Sequence, residues 1–165
     1  MNGDEYCGSS GLAVLLKKGA KVNEQDEDGV TPLLAAFKHG ATKGFNRPIK
    51  DLMEHKADTV DAANPDITDR WRRSCLHYAA KLHNIDACDN LLPEANPKVS
   101  TARANLKDHH GETPLHWACK SNAPKKLIKL LLDRGADLKV RDKEQQTPLY
   151  EACRVGNEDV VRLFL

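Results

Sequence analysis

Thr113-Pro114-Leu115-His116-Trp117-Ala118-Cys119 decides the reading of this chain, because variants of it occur four times. The other copies are Thr31-Pro32-Leu33-Leu34-Ala35-Ala36, Ser74-Cys75-Leu76-His77-Tyr78-Ala79-Ala80 and Thr147-Pro148-Leu149-Tyr150-Glu151-Ala152-Cys153. Thr before Pro suits a helix start: the hydroxyl accepts from an unpaired first-turn amide, and proline lacks the N–H that would have had no partner there. Leu and small residues then fall at offsets +2, +5 and +6 from the Thr, on one helical face. Each such helix is expected to stop at a Gly or Asn: Gly40, Asn84, Asn122 and Gly156.

A second helix is expected in each unit. The clearest is Leu127-Ile128-Lys129-Leu130-Leu131-Leu132, closed by Gly135. Val160 to Leu165 reads the same way, as does Leu12 to Leu16, closed by Gly19. Their wide apolar stripes fit helices packed between neighbours. Units of this kind cannot bury their apolar faces alone and must stack as a solenoid.

These residues resemble the ankyrin repeat, whose Thr-Pro-Leu-His-x-Ala signature recurs with a period of about 33 residues. Gly19-Ala20 and Gly135-Ala136-Asp137 resemble its second-helix ending. Five residues before each Thr or Ser start stands an Asp: Asp26, Asp69, Asp108 and Asp142. The resemblance implies an all-α ankyrin-repeat solenoid of helix-turn-helix units with hairpin-like finger loops. It is read as a single array over 1–165: a half-repeat over 1–25, then repeats over 26–68, 69–107, 108–141 and 142–165, the last incomplete. It also implies that His77 and His116 are interhelix hydrogen-bonding residues.

The pattern is irregular. Start-to-start spacings are 43, 39 and 34 residues (31 to 74, 74 to 113, 113 to 147). The excess falls around Ala41–Asn46, between Asp58 and Asp69, and between Asn96 and Asp108. Asn64-Pro65 and Asn96-Pro97 are expected to mark turns inside finger insertions. Such insertions are either tolerated loop length or added binding surface. Met1–Ser10 is short for a first helix, and Leu163-Phe164-Leu165 makes an apolar end, so the chain is expected to be a piece of a longer array.

Composition narrows the function. Lys plus Arg number 25 against 24 acids, a net charge of +1, so the chain as a whole carries no nucleic-acid signature. No apolar run approaches the ~20 residues that span a bilayer, and the N-terminus has no signal segment. There are five cysteines. Cys119 and Cys153 occupy the position of Ala80 and read as small buried hydrophobes, which points to reduced thiols and a cytoplasmic or nuclear compartment. His109, His110, His116 and Cys119 lie close in sequence without a zinc spacing, so no metal and no cofactor is expected. No phosphate-binding loop or nucleophile elbow is present, and no catalytic residue is assigned.

The expected function is a protein–protein interaction module binding a partner on its concave face and fingers; the alternative is the cytoplasmic ankyrin segment of a membrane channel or other large host. Offset +7 is a base in every copy, Lys38, Lys81, Lys120 and Arg154. A cation in a last helical turn is also favoured by the helix dipole, by about 0.3–1 kcal/mol. The second finger carries Arg70-Trp71-Arg72-Arg73 where the first has Asp26-Glu27-Asp28-Gly29. A Trp among arginines at a loop tip has the composition of a binding hot spot. Tyr78 and Trp117 share offset +4, and half-buried packing between units is their plain alternative. The expected partner site is Arg70, Trp71, Arg73, Tyr78, Lys81, Trp117 and Lys120, with Lys38 and Arg154 extending the row. The partner is expected to be an acidic protein or peptide; nucleic acid, a small-molecule substrate and membrane insertion by this segment are disfavoured.

Overall fold

A computed structural model of the chain describes residues 21–39 and 64–165. The expected helix over Leu12–Leu16, the Gly19 and Gly40 stops and the insertion around Ala41–Asn46 lie outside the described residues. Among the described residues there are eight helices and no strand. They are α1 (Pro32–His39), α2 (Cys75–Lys81), α3 (Ile85–Leu91), α4 (Pro97–Ala104), α5 (Pro114–Lys120), α6 (Lys125–Asp133), α7 (Pro148–Val155) and α8 (Glu158–Phe164).

The repeated phrase starts a helix each time. Thr31 Oγ1 accepts from the Leu34 amide at 3.2 Å and Thr147 Oγ1 from the Tyr150 amide at 3.3 Å. In the two middle copies the third helical residue is a histidine, and its Nδ1 accepts from the Ser74 amide at 3.1 Å or the Thr113 amide at 3.2 Å. Three of these helices run out into a left-handed residue: His83 (φ 57°) and Asn122 (φ 58°), two residues past the last helical one, and Gly156 (φ 79°), directly after it. Asn84, expected as the stop in the second unit, is instead the N-cap of α3 and accepts from the Ala87 amide at 3.1 Å. An Asn side chain is worth more at an N-cap, where its oxygen meets an orphan amide, so the left-handed position falls to His83.

Two layers result. The first helices α1, α2, α5 and α7 pack side by side, and α3, α6 and α8 form a second layer behind them. Small residues at offset +5 and +6 let the first helices close up: Ala79, Ala80, Ala118 and Cys119 are all buried. The first copy differs, with a fully buried Phe37 at offset +6. Leu91, Leu127, Ile128, Leu131 and Val160 supply the second layer's side of the core.

Cys153, expected to be buried like Ala80 and Cys119, is exposed. Each unit's +6 position is covered by the unit after it, and no described unit follows α7 and α8. Cys75, Cys88 and Cys119 are buried free thiols, and burial pushes each up to about 12.

The second unit's insertion is not a finger loop. Asn64 does make the expected turn, its Oδ1 accepting from the Asp66 amide at 2.9 Å. Asn96, in contrast, caps an additional helix, α4, accepting from the Val99 amide at 3.3 Å with Pro97 in the first turn. The Asn-Pro pair that can open a turn equally places a capping oxygen before a proline suited to N1. Polar contacts fasten α4 down. Arg103 forks onto Asp66 at 2.5 and 2.9 Å and reaches the Leu91 carbonyl at 2.9 Å. Asn105 Nδ2 donates to the Gly135 carbonyl at 2.7 Å, while its Oδ1 accepts from the Asp137 amide at 2.8 Å.

Candidate partner-binding face

The four aspartates build the fingers. In each, Oδ1 accepts from the amides two and four residues on: Asp28 and Val30 for Asp26, Trp71 and Arg73 for Asp69, His110 and Glu112 for Asp108, Glu144 and Gln146 for Asp142, all at 2.8–2.9 Å. The turn brings one residue to positive φ in each finger, at Gly29, Arg72, Gly111 and Gln145. At Gly29 and Gly111 glycine has a second reason: a Cβ would lie 3.1 Å from the amide nitrogen of Arg70 or Lys143 in the next finger. Fingers are joined edge to edge. The amides of Arg70, His109 and Lys143 donate to the carbonyls of Asp28, Trp71 and His110 in the preceding finger at 2.8–2.9 Å. Equivalent offsets therefore lie next to one another in space.

His77 and His116 continue this tie. The Nδ1 of each accepts from its own helix start, so the proton is on Nε2, which donates to the Glu112 carbonyl at 3.1 Å or the Gln146 carbonyl at 3.2 Å in the next unit. Both are buried. Burial lowers His77 to about 4 and shifts His116 in the same direction, and in each ring the accepting Nδ1 marks a neutral imidazole.

The second finger gathers the expected hot-spot residues. Trp71 has the guanidinium groups of Arg70 and Arg73 over its ring, 4.1 and 4.3 Å from the centroid, with Lys38 Nζ at 6.0 Å. Arg70 also bridges to Asp28 of the acidic first finger at 2.7 Å, and Arg73 to its own finger's Asp69 at 2.7 Å. Tyr78 and Trp117 meet edge to face, centroids 5.7 Å apart. Tyr78 is only 6% exposed, and its hydroxyl donates to Asp69 Oδ2 at 3.1 Å. Trp117 is half-buried and repeats that contact, its Nε1 donating to Asp108 Oδ2 at 3.2 Å. The two aromatics thus also brace their own fingers, and Trp117 offers the larger open surface.

The cation row lies beside them. Lys81 Nζ stands 5.5 Å above the Trp117 ring. Lys120 pairs with Glu112 and lies 3.6 Å from Glu151. Burial opposes the charge on Lys120, but the two carboxylates outweigh it and hold its pKa above the usual lysine value. Arg154 Nη2 bridges to Glu151 at 2.8 Å. A cleft of about 220 Å³ opens between units, lined by Lys81, Glu112, Trp117, Lys120 and Ser121. The structure thus brings Arg70, Trp71, Arg73 and Lys38 together at one end and Lys81, Trp117 and Lys120 around the cleft, with Arg154 at the far end. The sequence reading missed Glu112 and Glu151. Glu151 is 1% exposed and occupies offset +4, where Tyr78 and Trp117 stand; that break in the aromatic column was its only signal.

The family model for ankyrin repeats, in three copies, matches residues 5–102 and 99–165. The chain belongs to the ankyrin-repeat family. As an ankyrin-repeat protein it shares the fold of a class of protein–protein interaction modules. It is 31% identical over 144 residues to human transient receptor potential cation channel subfamily A member 1, covering 87% of this chain and 12% of the channel. It is 33% identical over 144 residues to mouse neurogenic locus notch homolog protein 1, covering 85% of this chain and 6% of that protein. The zebrafish notch homolog matches at 33% over 150 residues, 6% of its length. The chain therefore spans about a tenth or less of these relatives.

Proposed function

We propose that this ankyrin-repeat array is a binding module that seats an acidic protein segment on the face made by its first helices and fingers, with no chemistry of its own. The observation that carries this reading is the pair of indoles, Trp71 and Trp117, each with basic side chains over its ring on one continuous face. Indole and guanidinium groups dominate the energetics of protein interfaces, and a basic rim steers an acidic partner. Arg70, Trp71, Arg73, Lys81, Trp117 and Lys120 are assigned as the contact set, with Lys38 and Arg154 at its ends and Tyr78 as its buried support. No described helix is long and apolar enough to cross a membrane, and the module acts in this reading in the cytoplasm or nucleus.

Peptide-display selection on the immobilised chain tests this. Asp- and Glu-rich sequences should be enriched, and Trp71→Ala with Arg73→Glu should abolish their capture. Enrichment of apolar or basic sequences indifferent to both changes would refute it.

A second reading, favoured by the similarity to the human channel, makes the array one segment of a large membrane host. Flanking gene sequence decides it, since such a host must encode apolar spans of about 20 residues.

A further inference from the structure

Charge along the first-helix face is unevenly compensated. At the α1–α2 end Arg70 and Arg73 pair with Asp28 and Asp69 at 2.7 Å each, and the first-helix cations Lys38 and Lys81 stand outside those pairs. Among the described residues, Lys38 and Lys81 have no carboxylate within ion-pair distance; their ammonium groups rest over Trp71 and Trp117 at 6.0 and 5.5 Å. At the α5–α7 end the first-helix cations are paired, Lys120 with Glu112 and Glu151 and Arg154 with Glu151. The sequence shows the same base at offset +7 four times, but only half of that row holds spare positive charge.

We infer that an acidic segment docks at the α1–α2 end, its carboxylates meeting Lys38 and Lys81, and that Glu112 and Glu151 close the α5–α7 end to it. This rests on the binding-module reading above and adds a polarity to it. A lysine over an indole keeps its charge and can swing to an incoming carboxylate without breaking an ion pair. A carboxylate approaching Lys120 would have to displace Glu112 or lie beside the buried Glu151, and like charges so placed reject the wrong register. Half-buried Trp117 borders the open end, so an apolar or aromatic residue between the acids would find ring surface there. The occupant is thus a short acidic peptide segment with at least two carboxylates. The electrostatic fit argues for it over a second copy of this chain, whose net charge is +1.

The test uses the full chain and an octa-glutamate peptide. The chain has two tryptophans, both in this face, so intrinsic fluorescence reads the site directly. Titration should give a saturable change that weakens with added salt. Lys38→Gln and Lys81→Gln should each weaken binding about two- to fivefold, the range for a partly exposed ion pair. Arg154→Gln should weaken binding less than either, and Glu151→Gln should tighten it, a gain that misfolding cannot produce. Thermal melts by circular dichroism establish that each variant is folded. If Arg154→Gln weakens binding as much as Lys81→Gln, or Glu151→Gln fails to tighten it, the polarity is wrong while the binding face stands. If the peptide leaves both indoles unaffected, the acidic-segment reading falls with it.

Discussion

His77 of the second unit donates from Nε2 to the Glu112 carbonyl of the third at 3.1 Å, while Glu112 turns its carboxylate onto Lys120. One residue thus receives both the bond that joins two units and the cation that lines the cleft. The histidine must be neutral to do this, because its Nδ1 accepts from the Ser74 amide.

That requirement gives stability a pH dependence. Burial lowers His77 from 6.5 to about 4 and shifts His116 in the same direction. Between those values the unfolded chain takes up a proton that the folded chain refuses, so stability is retained above the unfolded value and lost as pH falls. From about pH 7 to about pH 5, His77 alone should cost roughly 2 kcal/mol, with His116 adding to it. Urea denaturation at the two pH values checks this. His77→Gln should lower stability at neutral pH and flatten the slope; an unchanged slope would mean that the imidazole is not buried neutral.

The finger aspartates should be costly to lose. Asp108 satisfies the amides of His110 and Glu112 and the indole N–H of Trp117. Asp108→Ala should destabilise the chain by about 2–3 kcal/mol, since buried donors are left without an acceptor. Asp108→Asn keeps one oxygen and should cost about half as much. Equilibrium unfolding of the two variants gives the comparison.

The additional helix should loosen independently of the binding face. Asn105 holds the end of α4 against the Gly135 carbonyl and the Asp137 amide. Asn105→Ala should cost about 1–2 kcal/mol. Hydrogen exchange should then speed up in α4 and at residues 135–137, while α2 and α5 stay protected. Faster exchange across all the helices would show that α4 is part of one cooperative unit with them.

The sequence made the repeat legible because each signal had a single physical use. Thr before Pro suited a helix start in three of the four copies, and four aspartates at one offset kept the copies in register. Asn96-Pro97 failed because Asn before Pro serves a turn and a helix start alike, and the contacts that favour the helix come from residues far away in sequence, Asp66 and Asp137. The cation row was legible as a row but not as a charge. Glu112 and Glu151 together cancel half of it, Glu151 from a position where the pattern held aromatics, and pairings between units cannot be counted from one unit's offsets. Cys153 shows the same limit: its position is buried only where another unit covers it.

Nuclear magnetic resonance gives the most direct check on the binding face. The two indole N–H signals, from Trp71 and Trp117, should both shift saturably as an acidic peptide is added, while the methyl signals of Leu127 and Leu131 in the second layer stay still. Shifts confined to α4 and α6, with both indoles unmoved, would place the partner elsewhere and contradict the proposed seat.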